Sequence, residues 1–278
     1  MSKGDLFLSN DDLRVGLLFH GAELSSIQDD TGREYVWQAD PAYWNRHASL
    51  LFPIVGRVKD DTYSLYGKEY HLPQHGFARN TDFVLESATR DSATFVLRND
   101  AKTEAVYPCP FVLSVSYKLT GRSLTCTWKV ENPSDQPTYF AIGGHPGFNW
   151  PQGTFENGFI GFDGAEALAE MVHGRGEAVA LNNGRLAVTE DLFNSNALVF
   201  DKPAFHAITL YEGDKPFLRL DHTEFPVLAL WSPAKAPFVC IEPWFRASGD
   251  SVALEEKPDI IKLAPGEIFT TSYNIEIL

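Results

Sequence analysis

The sequence predicts an all-β fold, built as a single large antiparallel β-sandwich with long loops. Segments that alternate apolar and polar residues, rich in β-branched and aromatic side chains, recur along the whole chain. Helical spacing is rare, and the best short helix is predicted from Gly164 to His173. The 17 prolines and 21 glycines lie scattered between the predicted strands. Such scattering is typical of many short strands joined by many turns.

The strands follow one another in a clear order. Thr94–Asp100 is the first well-marked one, and Val112–Leu119 and Ser123–Asn132 come next. Because only Thr120–Arg122 joins the last two, we expect a hairpin there. Further strands are predicted at His206–Glu212, Phe217–His222, Val227–Ser232, Phe238–Glu242 and Phe269–Ile277.

No boundary divides the chain. The sequence has no linker rich in Pro, Gly and Ser, no repeat of fixed period and no low-complexity segment. Its 278 residues are compatible with one unit, since β-sandwiches often exceed two hundred residues as a single domain. We therefore predict one domain over residues 1–278.

Composition excludes several functional classes. A formal net charge of -14 would repel nucleic acid and anionic lipid, so neither is an expected partner. The N-terminal residues lack the continuous apolar run of a secretory leader, and no segment is apolar enough to span a bilayer. The cysteines Cys109, Cys126 and Cys240 are odd in number and show no CxxC spacing. We expect a cytoplasmic protein that binds a small molecule, with a homodimer as one possible assembly.

The first candidate site segment is LPQHGFARN, which spans Leu72–Asn80. Pro73 precedes His75 and Gly76 follows it, so the imidazole is predicted on a sharply turned segment outside any strand ladder. Arg79 could offer a planar fork of donors to hydroxyls, a carboxylate or a phosphate. A solvated surface turn is the alternative for this motif.

The second segment is AIGGHPGFNW, in which glycines and a proline bracket His145. A strand is not expected to continue through this run, so the backbone is predicted to bend around the histidine. Because such residues sacrifice pairing and packing, we favour a functional histidine over a core one.

The third segment is FVCIEPW, an apolar strand that carries a carboxylate. Alternation places Phe238, Cys240 and Glu242 on one face, and Pro243 is predicted to stop the ladder just after the acid. Partial burial would raise the basicity of Glu242. A structural ion pair is the alternative.

Other site chemistries lack support. His71 and His75 have helical zinc-ligand spacing, but Pro73 lies between them and no HExxH motif or Cys/His cluster is present. No GxSxG elbow, GxGxxG loop or GxxxxGK[ST] loop is found either. We predict no metal and no cofactor.

His75 in QHGFAR, His145 in GGHPGF and Glu242 in IEPW, in this order and with VGRVKDDTY upstream, resemble the aldose 1-epimerase, or galactose mutarotase-like, family. The likeness covers nearly the whole chain and looks closest to the LacX-like branch. It includes an early HGAEL segment, a WNRHASLLFPIVGR segment and a closing APGEIFTTSYNIEI strand.

The resemblance implies a β-supersandwich that interconverts the α and β anomers of an aldose without a cofactor. It implies that Glu242 is the general base, His145 the general acid and His75 a second histidine on the ring-oxygen side. Arg57 resembles a substrate-binding arginine, and Asp191 is the best match to an aspartate that grips sugar hydroxyls. Gly144 departs from the family pattern, in which an asparagine usually precedes this histidine.

Aromatic residues near these segments fit a sugar, whose ring has apolar C–H faces. We expect Phe148 and Trp244 to contact it, while at least half of the nearby aromatics belong to the core. The rings concerned are Trp44, Phe77, Phe148, Trp150, Trp231 and Trp244.

Two alternatives remain open. LPQHGFARN also resembles the hexose-6-phosphate mutarotases, in which an arginine of this motif meets the phosphate, a role open to Arg79. A carbohydrate-binding module could keep this fold and lose turnover, since fold does not fix function. A purely structural β domain would make all three unusual segments coincidence.

Overall fold

The computed structural model describes residues 4–164, 170–172, 178–181, 184–193, 197–247 and 253–278. Within these ranges the regular secondary structure consists mainly of antiparallel strands, which confirms the predicted all-β class. The single α-helix of the described residues, Ala101–Val106, begins at a capping box in which Asp100 accepts backbone N–H bonds from Lys102 and Thr103. Short 3-10 helices lie at Lys59–Asp61, Ala78–Asn80 and Leu254–Glu256.

The strands are numbered in chain order. They are β1 (Leu6–Ser9), β2 (Leu13–Leu17), β3 (Leu24–Asp29), β4 (Ala48–Leu51), β5 (Thr62–Leu65), β6 (Lys68–His71), β7 (Val84–Ala88), β8 (Ser92–Arg98), β9 (Val112–Thr120), β10 (Ser123–Glu131), β11 (Thr138–Phe140), β12 (Ile142–Asn149), β13 (Gly158–Asp163), β14 (Glu170–Val172), β15 (Ala178–Ala180), β16 (Arg185–Ala187), β17 (Leu198–Asp201), β18 (Ala207–Glu212), β19 (Lys215–Asp221), β20 (Val227–Trp231), β21 (Phe238–Phe245), β22 (Ile261–Leu263) and β23 (Ile268–Ile277).

Two large sheets dominate. One has nine strands in the order β16-β13-β18-β19-β23-β10-β9-β8-β7, and the other has five in the order β17-β20-β21-β12-β4. β1-β2-β3 form a third sheet, and the pairs β5-β6, β11-β22 and β14-β15 complete the described ladders. The predicted hairpin is confirmed, because β9 and β10 pair from Ser123 opposite Thr120 onwards.

The main core lies between the two large sheets. β10 alternates in burial along its length and contributes Trp128 and Val130 to a hydrophobic cluster that also contains Val239 and Ile241 of β21. β21 is buried on both faces, since its seven residues from Phe238 to Trp244 are all buried. One face of β21 packs in the main core, so other residues must bury its second face. That second face carries the candidate site.

Sequence patterns located most of these strands. All of the well-marked segments, from Thr94–Asp100 to Phe269–Ile277, overlap strands of the structure. The helix predicted from Gly164 to His173 is wrong at Glu170–Val172, which forms β14, while 165–169 and 173 lie outside the described residues. Pairing of β14 with β15 overrides the helix propensity of this segment.

The described residues include no helix that is both long and apolar enough to cross a lipid bilayer. The assignment of residues 1–278 to one domain stays a prediction.

Candidate active site

His145 and Glu242 face each other across two neighbouring antiparallel strands. β12 and β21 pair at Gly143 with Trp244 and again, in the same register, at Gly147 with Cys240. That register sets His145 opposite Glu242, and Nε2 of the imidazole lies 3.2 Å from Oε2 of the carboxyl group. Two distant sequence motifs are thereby brought into one site.

The strands continue through both motifs, which corrects two predictions. β12 runs from Ile142 to Asn149 without ending at the Gly–Pro run, and β21 runs past Pro243 to Phe245. No bridged pair joins β12 to β21 between Gly143 and Gly147, so Pro146 and Pro243 lie where the two strands lack ladder pairing. A proline costs a strand little where its missing N–H would have had no ladder partner.

Glycines clear space around His145 for aromatic rings. A Cβ atom at Gly143 would lie 2.5 Å from Cδ1 of Trp244. One at Gly147 would lie 3.3 Å from Cζ3 of Trp44. Because side chains on a strand alternate, these two glycines share the face of His145. His145 is therefore the one side chain between them on this face.

His75 reaches the same place from a loop. His75 and Gly76 both have positive φ angles, of 66° and 70°, so the predicted sharp turn is confirmed. Phe52 anchors the turn, because its carbonyl oxygen accepts the N–H bonds of Phe77 and Ala78. The rings of His75 and His145 are 5.9 Å apart and nearly perpendicular.

Burial makes charge separation costly at this site. Glu242 is 1% exposed and His145 is 9% exposed. Burial raises the pKa of Glu242 well above its usual range. Burial, together with the electrostatic influence of the neighbouring His75, Arg79 and Arg46, lowers the pKa of His145 well below its usual range. The favoured state is a neutral pair that shares one titratable proton, held by the carboxyl group. The 3.2 Å contact lacks hydrogen-bond alignment, and Oε2 has no hydrogen-bond partner among the described residues.

His75 is held as a neutral imidazole. Burial, with smaller contributions from Arg79 and Arg46, lowers the pKa of His75 to about 3. Nδ1 of this ring accepts the backbone N–H of Gly56 at 3.1 Å. The proton of the neutral ring therefore sits on Nε2, which becomes a hydrogen-bond donor.

Aromatic rings enclose His145. The indole of Trp44 stacks on the imidazole with 4.7 Å between centroids, and Trp231 meets it edge-on at 5.5 Å. Trp44 also stacks against Phe238, and its carbonyl oxygen accepts the indole N–H of Trp37 at 2.8 Å. These rings exclude water from the imidazole and offer apolar faces to a ligand.

Two arginines give the site a positive edge. Arg46 donates to the carbonyl oxygen of Arg79 and to the side chain of Asn80, while Arg79 donates to the carbonyl oxygen of Gln74. Burial and the charge of Arg46 lower the pKa of Arg79 to about 10. Within the described ranges, neither guanidinium forms an ion pair with a carboxylate.

Glu23 supports the strand beside His145. Its buried Oε1 accepts the backbone N–H groups of His47 and Ala48, at 2.9 and 2.8 Å, where β4 begins. β4 then pairs with β12, with Ser49 opposite His145. A carboxylate from the HGAEL segment thus fixes the backbone next to the site.

The remaining predicted residues lie outside the facing pair of His145 and Glu242. Arg57 is exposed and pairs with Asp61. Asp191 is exposed in a turn. Phe148 is fully buried in the main core, on the face of β12 opposite to His145. Trp244 shares the face of Glu242 and donates its indole N–H to the carbonyl oxygen of Gly144. Binding roles for these residues stay predictions.

Sequence reasoning missed several residues that build the site. The charge of Arg46 acts on both histidines, the N–H of Gly56 sets the tautomer of His75, and Glu23 supports β4. A signal existed for Glu23, because an acidic residue in the apolar stretch GAELSSI is unusual for a buried strand. No local pattern marks a backbone N–H as part of a site.

Comparison with known proteins agrees with this geometry. A family model described as aldose 1-epimerase matches residues 5–275. The protein LacX of Lactococcus lactis subsp. lactis, in its plasmid version, is 34% identical over 299 aligned positions, which cover 98% of both chains. The chromosomal version matches equally well.

Solved structures share the architecture. A galactose mutarotase related enzyme from Lactobacillus acidophilus superposes with a TM-score of 0.88 at 33% identity, covering 98% of this chain and 97% of the other. A galactose mutarotase-like protein from Lactobacillus casei gives a TM-score of 0.88 at 28% identity, covering 98% of this chain and 99% of the other. The predicted galactose mutarotase-like fold is confirmed.

Proposed function

The chain belongs to the aldose 1-epimerase family, and from this premise we propose that it is a mutarotase that interconverts the α and β anomers of an aldohexose. The observation that carries the proposal is the facing pair of His145 and Glu242, 3.2 Å apart, with His75 beside it. The reaction transfers no group and no electron, so it requires only proton donors and acceptors.

Opening a cyclic hemiacetal requires two proton transfers. One proton leaves the anomeric hydroxyl, and one reaches the ring oxygen. A pair that holds one proton can do both, because one member accepts while the other donates. We assign Glu242 as the base and His145 as the acid for ring opening, so the shared proton must first move from the carboxyl group of Glu242 to the imidazole of His145, 3.2 Å away. After rotation about the C1–C2 bond, the two groups exchange roles and close the opposite anomer.

Burial of the pair favours this chemistry. Loss of the shared proton would leave a buried anion, and gain of a second would leave a buried cation, both of which are costly in a medium of low dielectric constant. The pair therefore returns to the one-proton state after each ring closure. His75, protonated on Nε2, is the donor that we assign to the ring-oxygen side.

Polarimetry on freshly dissolved α-glucose and α-galactose tests the proposal. We expect the purified protein to accelerate the approach to the equilibrium rotation above the spontaneous rate. Sugar binding measured by calorimetry without any acceleration would contradict a mutarotase. That outcome would instead favour a non-catalytic carbohydrate-binding protein of the same fold.

A second candidate function is mutarotation of a hexose 6-phosphate. The observation that favours it is the pair Arg46 and Arg79, whose charges act on both site histidines and which lack a carboxylate partner among the described residues. In a chain with net charge -14, such a local cationic edge suits a dianionic phosphate.

Substrate comparison separates the two candidates. If the phosphate is bound, Arg79→Ala should lower kcat/KM on glucose 6-phosphate about tenfold or more, while the value on glucose changes little. Arg98→Ala, which removes an exposed arginine from β8, is the matched control. Equal effects of Arg79→Ala on both sugars would remove the phosphate from the proposal.

A further inference from the structure

Cys240 adds a third metal-ligand atom to the facing pair. It lies on β21 two residues before Glu242, on the same face, and is fully buried. Its Sγ atom, an imidazole nitrogen of His145 and a carboxylate oxygen of Glu242 all lie within 4.8 Å of one another. The mutarotase mechanism uses no thiol at this position, so the proposed function gives the thiol of Cys240 no role.

We propose that His145, Cys240 and Glu242 form a binding site for a soft divalent cation, such as Zn²⁺ or Cd²⁺, and that this cation competes with the sugar. Imidazole, thiolate and carboxylate are the protein ligands that zinc takes. A hard cation such as Mg²⁺ would not select a thiolate. The metal acts here as an inhibitor and takes no part in proton transfer.

The geometry lies close to what such a cation needs. Zinc binds sulfur at about 2.3 Å and nitrogen or oxygen at about 2.0–2.2 Å, so the ligands of a tetrahedral site lie roughly 3.4–3.7 Å apart. The His145–Glu242 contact is 3.2 Å, and the longest separation in the group is at most 4.8 Å. Side-chain rotations that shift the ligand atoms by about 1 Å bring them to the distances of a tetrahedral site.

An unpartnered polar atom lies at the same place. Oε2 of Glu242 is buried and has no hydrogen-bond partner among the described residues. Coordination would give Oε2 a partner and would occupy Nε2 of His145, the atom nearest to it. The thiol of Cys240 and the carboxyl group of Glu242 each release a proton to solvent when they bind the cation, and a water molecule completes the tetrahedron.

The cation and the sugar compete because both need the same atoms of His145 and Glu242, and this part of the inference rests on the proposed function. The same nitrogen and oxygen cannot hold a cation and exchange protons with a sugar. We therefore expect Zn²⁺ to raise the apparent KM of mutarotation and leave kcat unchanged. The binding itself does not depend on catalysis, so it is tested separately.

Cadmium titration tests the site in the intact protein. Binding of Cd²⁺ to a thiolate produces an ultraviolet charge-transfer absorption, which we expect to saturate at one equivalent. Cys240→Ala should abolish this absorption, whereas Cys126→Ala, which removes a buried thiol from β10, should retain it. Circular dichroism of each variant verifies that it is folded. Persistence of the absorption in folded Cys240→Ala, or its absence from the unmodified protein, would overturn the site.

Inhibition provides the second readout. With each rate expressed relative to the same variant without metal, Cys240→Ala should require at least about ten times more Zn²⁺ for half inhibition than Cys126→Ala. Equal sensitivity of the two variants would refute the competition. If the protein shows no mutarotase activity at all, the cadmium result still decides the metal site.

Discussion

The backbone N–H of Gly56 donates a 3.1 Å hydrogen bond to Nδ1 of His75, and this contact decides which nitrogen of the imidazole carries the proton. Gly56 belongs to the VGR segment and His75 to the QHG segment, so two loops cooperate in one tautomer. A neutral ring with Nε2 protonated donates a hydrogen bond without adding charge to a buried site.

We predict that His75 keeps this tautomer throughout the physiological pH range. Its pKa of about 3 means that the neutral ring persists from mildly acidic to alkaline solution. Long-range ¹H–¹⁵N correlation spectra should show Nδ1 unprotonated and Nε2 protonated, with no titration of His75 between about pH 5 and pH 9. Titration of His75 near neutrality would contradict the prediction.

Glu242→Gln should abolish catalysis while sugar binding is retained. The amide has nearly the shape of the carboxyl group but cannot accept the anomeric proton, so we expect kcat to fall about 10²- to 10⁴-fold. Polarimetry measures the rate, and calorimetry with galactose measures binding. Glu69→Gln, on the exposed strand β6, is the control. Activity close to that of the control would remove Glu242 from the mechanism.

Sequence patterns predicted the strands, and they singled out three candidate site segments, because both steps rely on local features. Alternation correctly placed Cys240 and Glu242 on one face of their strand, and Gly76 correctly indicated a turn. Each of these inferences needs only a few neighbouring residues, so one sequence suffices.

The pairing register could not be predicted from local features. Pro146 and Pro243 suggest strand ends, yet both strands continue, because the prolines fall where the two strands lack ladder pairing. That arrangement depends on contacts between residues about a hundred positions apart. For the same reason the sequence alone did not predict the proposed metal site of His145, Cys240 and Glu242. These residues come from two strands and follow no short motif.

The pH dependence of kcat/KM should show a broad plateau. A free carboxyl group and a free imidazole, with pKa values of 4.5 and 6.5, would jointly hold one proton only over the interval between them. Burial lowers the pKa for loss of the second proton from the pair and raises the pKa for loss of the last. Rates corrected for spontaneous mutarotation should therefore be flat from about pH 5 to pH 8. A narrow optimum within that range would contradict a neutral, buried pair.

Trp44 should position His145 through ring stacking. Aromatic pairs contribute about 0.5–1.5 kcal/mol beyond burial, so Trp44→Ala should lower kcat about 2- to 10-fold. Trp44→Phe keeps an aromatic face and should retain most of the rate. Steady-state polarimetry separates kcat from KM. An effect confined to KM would instead make Trp44 a sugar-contacting residue.

Glu23 should stabilise the fold in a pH-dependent way. Burial alone would raise the pKa of Glu23. Hydrogen bonding to His47, the electrostatic influence of His47 and the backbone N–H of Ala48 lower it by more, so the folded-state pKa lies below the usual 4.5. Because the folded-state value is below the unfolded one, the charged carboxylate contributes stability above about pH 4.5, and this contribution is lost as the pH falls further.

Two substitutions separate the hydrogen bonds of Glu23 from its charge. Glu23→Ala leaves two buried N–H groups without a partner and should lower the free energy of unfolding at pH 7 by about 2–6 kcal/mol. Glu23→Gln keeps an acceptor oxygen and should cost about 1 kcal/mol. Urea unfolding at pH 7 and pH 3 measures both variants. Because the amide cannot titrate, the gap between the unmodified protein and Glu23→Gln should shrink on acidification, and a constant gap would show that the carboxylate charge contributes nothing.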